Sequence, residues 1–209
     1  MNFWIKKGVI IDHPESVYIG ENVVIEEGAI IHPFSTIRGK TLIRKKSEIG
    51  PGSDLSDSEI GFSTKVLRST VVDSRIEGNC SIGPYSNIRE KTTIDENCRI
   101  GNYVEVKKSK IKRNVKIAHL SYIGDSEIFE NVNIGAGTIT CNFDGKKKNK
   151  TVINRDSFIG SNSLLIAPVS IGEKVTIGAG SVITKDVDDG SLGISRSQQK
   201  IIKNWKNKT

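Results

Sequence analysis

Aliphatic residues recur in this chain every six positions, and few folds tolerate that period. The series runs Ile19, Ile25, Ile31, Ile37, Ile43, Ile49 and Leu55, then slips by one residue to Ile60 and Val66, and again to Val71 and Ile76. It resumes as Ile82, Ile88, Ile94, Ile100 and Val106, slips to Ile111, Ile117 and Ile123, and slips once more to Ile128 and Ile134. After an irregular segment it returns as Ile153, Ile159, Leu165, Ile171, Ile177 and Ile183. A period of six matches neither a helix face nor an alternating strand. It fits a hexapeptide repeat, in which six residues give one short strand and one corner, and three such units close a triangular coil. The predicted fold is therefore all-β: a left-handed parallel β-helix of about nine coils over about residues 17–187. The aliphatic residue fills the prism, and a small residue two positions ahead of it, such as Ser35, Ser47 or Ser53, shares the interior near a corner.

The ends and one internal segment depart from this pattern. Residues 1–16, with Trp4 and Pro14, read as a lead-in that caps the first coil, as terminal units of stacked repeats must. Residues 188–209 read as a polar, basic tail with a short helix over Gln198 to Trp205. Between Ile134 and Ile153 the register breaks, and a loop of about residues 141–151 carries a lysine run, Lys146-Lys147-Lys148-Asn149-Lys150. Loops of a solenoid project from one corner and commonly form its binding surface.

Composition narrows the partners. Aromatics make up 6% of the 209 residues, so the core is aliphatic. The net charge of +7 favours anionic partners. The basic residues are dispersed and accompany no groove-reading motif, which argues against nucleic acid and leaves phosphorylated small molecules. The segment Met1 to Lys7 lacks the apolar run of a signal peptide, and no stretch has membrane-spanning length. Three cysteines without zinc-type spacing point to reduced thiols and a cytoplasmic protein with no membrane association. Cys80 and Cys98, one coil apart, are expected to stack inside as small apolar fillers.

The candidate site centres on His119. It lies two residues after the inward Ile117, so the repeat turns it outward, where a histidine can act as a general base. Tyr122, Asn133 and Asn142 fall on nearby coils or on the loop. Arg89 and Lys107 are one coil apart and each follows an inward aliphatic, giving a positive column that is either two solvated side chains or an anion clamp. The lysine run is likewise either a solvated loop or a phosphate contact. A three-histidine zinc site is excluded by position, because His13 and His32 lie many coils from His119, and no catalytic metal is expected. Thr138 and Thr140 alone hint at the outward threonine ranks of a purely structural β-helix. Cys141 has no base beside it in sequence and is a poor candidate nucleophile.

Three runs carry a resemblance to a known family. They are Gly101-Asn102-Tyr103-Val104-Glu105-Val106-Lys107-Lys108, Ala118-His119-Leu120-Ser121-Tyr122-Ile123-Gly124-Asp125, and Asn131 through Ile134-Gly135-Ala136-Gly137-Thr138-Ile139-Thr140-Cys141-Asn142-Phe143-Asp144-Gly145. Phe158 to Asn162, Ala167-Pro168-Val169, Gly178-Ala179-Gly180 and Ile194-Ser195-Arg196 continue them. From about Gly8 onward the chain resembles the C-terminal acetyltransferase domain of the bacterial bifunctional N-acetylglucosamine-1-phosphate uridyltransferase / glucosamine-1-phosphate acetyltransferase, of the hexapeptide-repeat acyltransferases. The resemblance implies a homotrimer with intersubunit active sites and acetyl transfer from acetyl-CoA to the amine of glucosamine-1-phosphate. By motif position it implies His119 as the base, Arg89, Lys107 and Lys148 as sugar-phosphate ligands, and Tyr122 and Asn133 as sugar contacts. It implies Ala136, Asn142, Phe143, Ser161, Ala179 and Arg196 as acetyl-CoA contacts, with Ser161, Ala179 and Arg196 reaching the site across a subunit boundary.

The chain also departs from the family pattern. Glu90 follows Arg89 where the family has proline, Ala118 precedes the histidine in place of glycine, and Phe143 replaces a tyrosine. The family's uridyltransferase half, with its glycine-rich nucleotide loop, has no counterpart in this sequence, so the expectation is acetyl transfer without UDP-sugar formation. Two alternatives stay open: N-acetylation of another, nucleotide-linked amino sugar for a surface glycan, and a non-catalytic trimeric β-helix that binds ligands.

Overall fold

The structure is a computed structural model and describes residues 1–203 and residue 205. Among the described residues the chain forms three parallel sheets of 11, 10 and 9 strands. Up to Val182–Ile183 each strand from the fourth onward pairs with the one three before it in the chain, so the chain visits the first, second and third sheets in turn and rises one rung per circuit, and only the last strand, Leu192–Gly193, follows its partner by two. The result is the left-handed β-helix that the period of six predicts, with about ten turns rather than nine. The stack extends by one strand at each end. Ile10–Ile11 pairs with Ile30–Ile31, and Leu192–Gly193 pairs with Thr176–Ile177. The lead-in contributes a short helix, Asn2–Lys6, whose Trp4 packs against the core. The helix expected from Gln198 is absent over residues 198–203, while Asn204 lies outside the described residues.

The inner rank is as the sequence predicts. Ile31, Ile37, Ile43, Ile49 and Leu55 are fully buried, and the rank continues through Ile128 to Ile177. Aligned pairs such as Ile82↔Ile100, Ile100↔Ile117 and Ile117↔Ile134 stack aliphatic on aliphatic along the axis. Each such side chain contributes roughly 1.5–3 kcal/mol by leaving water. The one-residue slips fall at corners. The step from second to third sheet is shortened between Leu55 and Ile60, Val71 and Ile76, Val106 and Ile111, and Ile123 and Ile128. A residue removed at a corner leaves the pairing of the flanking strands in register.

The small interior residues do more than fill space. Ser47 Oγ donates to the Gly61 carbonyl of the next coil at 2.7 Å, Thr64 Oγ1 to that of Glu77 at 2.7 Å, and Ser86 Oγ to that of Gly101 at 2.7 Å. The same hydroxyls accept backbone N–H groups, as Thr64 does from Cys80 at 3.1 Å. These bonds satisfy corner groups that the short strands leave without ladder partners. Cys80 and Cys98 occupy equivalent positions. Their thiols donate to the carbonyls of Asp95 at 3.2 Å and Lys112 at 3.0 Å. They are therefore weak polar stitches rather than purely apolar fillers, and both are free thiols. Thr138 and Thr140 also point inward and are fully buried, so they form no outward rank.

Removing one stitch should leave a buried carbonyl without a partner. Ser47→Ala is expected to cost about 1–3 kcal/mol of stability, and Ser47→Cys less, because cysteine fills this role two and three coils on. Chemical denaturation midpoints of the three proteins check the order.

Candidate functional site

His119 ends the strand Lys116–His119 and stands opposite Asn102, the last residue of Arg99–Asn102. Its ring is exposed, and Nδ1 lies 2.6 Å from Asn102 Oδ1. An amide oxygen can only accept, so Nδ1 carries the proton and Nε2 keeps a free lone pair. The register continues this corner upward. Lys116↔Asn133 places Ala136 above His119, Asn133↔Phe158 places Ser161 above Ala136, and Phe158↔Thr176 places Ala179 above Ser161. Backbone bonds tie the column: Asn162 N–H donates to the Ala136 carbonyl at 2.7 Å and Gly180 N–H to that of Ser161 at 2.8 Å. At the top, Arg196 Nη1 donates to the Ala179 carbonyl at 2.7 Å. Four of the expected acetyl-CoA contacts, Ala136, Ser161, Ala179 and Arg196, thus share one corner with His119 within a single chain.

Arg89 and Lys107 lie on the opposite edge of the second sheet, paired at the ends of Asn87–Arg89 and Glu105–Lys107. They are neither splayed nor alone. Glu105 Oε1 accepts from Arg89 Nε at 2.7 Å, and Glu90 bridges the two cations, contacting Arg89 Nη1 and lying 3.4 Å from Lys107 Nζ. The Lys107 side chain is 15% exposed. One rung higher the column position is Gly124. A Cβ there would lie 2.5 Å from Tyr122 Oη and 2.6 Å from Asn142 Nδ2. Its absence lets the Tyr122 ring fold across the strand and lets Asn142 tuck in beneath the loop. Asn142 is buried, and its Nδ2 donates to Asp125 Oδ2 at 2.6 Å and to Tyr122 Oη at 3.4 Å.

The loop begins where the inner rank turns polar. Thr140 takes the place of an inward aliphatic, and its Oγ1 accepts the Gly124 N–H at 2.8 Å. This replaces a ladder bond and frees the chain to leave the coil; the strand Ile139–Cys141 keeps only the pair Tyr122↔Ile139 with the strand below. The loop folds back on itself through a bridge between Phe143 and Lys148, with Lys148 Nζ 4.6 Å from the centre of the Phe143 ring. Asp144 accepts from the backbone N–H groups of Lys147 and Lys146 and from Asn149 Nδ2, each at 2.8 Å. These bonds, that of Lys147 foremost, pull its carboxyl down to about 2, so this turn stays fastened until the pH falls through that value. Lys148 lines a cleft of about 240 Å³ with Lys108, Asp125 and Glu127, beside the Arg89–Lys107 column rather than in contact with it. Phe143 belongs to this loop and not to the His119 corner. Asn133 sits on the outer face of the first sheet, between Lys116 and Phe158, and meets neither group. Burial pushes the Cys141 thiol up, the opposite of what an activated nucleophile needs.

Several participants escaped the sequence reading. Asn102 is one coil before His119, and Asp125 one coil before Asn142, so coil spacing could have found both. Glu105 and Thr140 carry no such signal until the register is known. Gly124→Ala should force Tyr122 and Asn142 apart and cost about 1–3 kcal/mol through overpacking. In a Tyr122→Ala background part of that cost should return, which thermal melts of the two single variants and the double variant test.

A family model described as bacterial transferase hexapeptide (six repeats) matches residues 73–108 and 150–185. The bifunctional protein GlmU of Thermosipho africanus is 52% identical over 200 residues, covering 96% of this chain and 44% of its own length. That of Prochlorococcus marinus is 47% identical over 205 residues, covering 98% and 45%. The chain thus spans somewhat under half the length of the relatives it matches. A solved structure of a UDP-N-acetylglucosamine acyltransferase aligns over 82% of this chain and 67% of its own, at 22% identity and a TM-score of 0.48. With this identity along nearly its whole length, the chain is homologous to the C-terminal half of the GlmU proteins, and it carries the repeat of the bacterial hexapeptide transferases.

Proposed function

We propose that this chain is an acetyl-CoA-dependent N-acetyltransferase that converts glucosamine-1-phosphate to N-acetylglucosamine-1-phosphate by direct transfer. The observation that carries this is the His119 corner: an exposed imidazole with Nδ1 held by Asn102, Nε2 free, and a column of small residues rising from it to an arginine. A thioester arm laid along this column would pass over three small side chains, Ala136, Ser161 and Ala179. It runs from the base at one end to Arg196, a cation for phosphates, at the other. The amine nitrogen attacks the thioester carbonyl while Nε2 takes its proton, forming the C–N bond. Collapse of the tetrahedral species breaks the C–S bond, and the imidazolium returns the proton to the departing thiolate. Holding both substrates at once replaces a covalent enzyme intermediate.

Arg89, Lys107 and Lys148 take the sugar phosphate in this scheme, Tyr122 and Asn133 the sugar, and Asn142 and Phe143 join the acetyl-CoA contacts. The two corners bracket the outer face of the second sheet, whose upper rungs present Tyr122, Ile139, Leu164 and Val182 in one aligned stripe. Ile139 and Val182 remain exposed in the single chain. Such a face supports assembly into a homotrimer in which neighbouring subunits complete each site, acting in the cytoplasm. A second substrate class, another amino sugar, is favoured by one observation: Glu90 already occupies the Arg89–Lys107 pair.

Thiol release from acetyl-CoA, followed with glucosamine-1-phosphate and a panel of amino sugars, tests the proposal; no turnover on any amine would sink it. His119→Ala should lower the rate by about two to four decades. Asn102→Ala should lower kcat less, and with little change in the KM for either substrate. Sedimentation of the active protein should give three copies per particle.

A further inference from the structure

The corner that carries Arg89 is unlike its neighbours. From Ile88 to Ile94 the step between second and third sheets spans six residues, whereas the steps at Val71–Ile76, Val106–Ile111 and Ile123–Ile128 span five. The corner absorbs the additional residue by putting both Glu90 and Lys91 at positive φ, 55° and 58°. Lys91 N–H still bonds the coil below, to the Asp73 carbonyl, and the Arg89 carbonyl accepts from Lys108 N–H of the coil above. The Glu90 side chain turns back over the column and meets both Arg89 and Lys107.

The charges at this edge are therefore balanced before any substrate arrives. Arg89 and Lys107 face Glu105 and Glu90, two cations against two carboxylates. Glu105 is fixed by its place in the strand Glu105–Lys107, between Asn87 and Tyr122. Glu90 is not fixed in that way: it hangs from a corner, its side chain is 48% exposed, and rotation of that side chain would release it to water. A largely buried ammonium such as Lys107 requires a counter-charge, and in the free protein Glu90 supplies it.

We propose that Glu90 is a displaceable carboxylate that occupies the anion clamp and sets its selectivity for substrate charge. A sugar phosphate binds by expelling it, and a sugar without a phosphate leaves it in place. This rests on the acetyltransferase function proposed above only for the identity of the sugar; competition between Glu90 and an anion follows from the clamp alone.

The test separates the two. Inorganic phosphate is titrated calorimetrically into the wild-type chain, Glu90→Gln, Glu90→Asp and the distant control Glu15→Gln. Removing one competing charge at a partly exposed pair should tighten phosphate binding about three- to tenfold in Glu90→Gln. Glu90→Asp and Glu15→Gln should stay near wild type. In turnover, Glu90→Gln should lower KM for glucosamine-1-phosphate by a similar factor and leave KM for glucosamine unchanged. Equal or weaker phosphate binding in a folded Glu90→Gln overturns the proposal. Tighter phosphate binding with no turnover on either sugar supports it and overturns the substrate assignment instead.

Discussion

Among the described residues no strand satisfies its own backbone; each is held because neighbouring coils take its N–H and C=O groups. Strands of two to four residues cannot stand alone, and the inward aliphatic rank is what brings each coil into register with the next. That dependence explains where variation is allowed. One-residue deletions sit at corners, where a serine hydroxyl of one coil accepts a backbone N–H of the next, as Ser58 does from Ser74 and Ser109 from Ser126. The loop leaves the coil at Thr140, where a side-chain oxygen takes over from a backbone partner. At these corners a residue can be added or turned without unpairing the stack.

The inner rank was legible because burial leaves its mark on residue type. A fully enclosed position accepts only an aliphatic residue of the right size, so Ile88, Ile100 and Ile117 announce themselves. Corner positions announce less. Ser47 and Cys80 look like small fillers until the carbonyl above each of them is located, and Thr140 looks like an outward residue until the register is followed through the loop. At the ends the pattern fails for a physical reason: Ile10–Ile11 and Leu192–Gly193 each have one neighbouring coil rather than two, so the demand for burial that writes the repeat into sequence is halved.

Motif positions named candidate residues for a site but not their arrangement. Motif positions assembled Arg89, His119, Asn142 and Ser161 into one list, and the solenoid divides that list between two corners of the second sheet. His119, Ala136, Ser161 and Ala179 follow the axis along one corner. Arg89, Lys107 and Asn142 follow the other. Asn133 belongs to a different face. A period of six fixes which way a side chain points, yet whether two outward residues meet depends on coil lengths, which are set by corner deletions. The rung from Lys116 to Asn133 is 17 residues and that from Asn133 to Phe158 is 25. Asn102, which determines the proton position on His119, is paired with it only because that coil is one residue short of eighteen.

Net charge misleads at this edge for a related reason. The excess of seven positive charges counts every lysine alike, but the geometry sorts them. Arg89 meets Glu105 and Glu90, Lys107 meets Glu90, Lys108 lies near Asp125, and Lys150 meets Glu127. At this edge Lys148 is different: its ammonium rests on the Phe143 ring rather than on a carboxylate. An aromatic face stabilises a cation without neutralising it, so Lys148 keeps its full attraction for an incoming anion, while Arg89 and Lys107 offer theirs only after a carboxylate moves. How strongly these cations attract an anion is therefore set by which of them are already paired, a property that belongs to the corners and not to the composition.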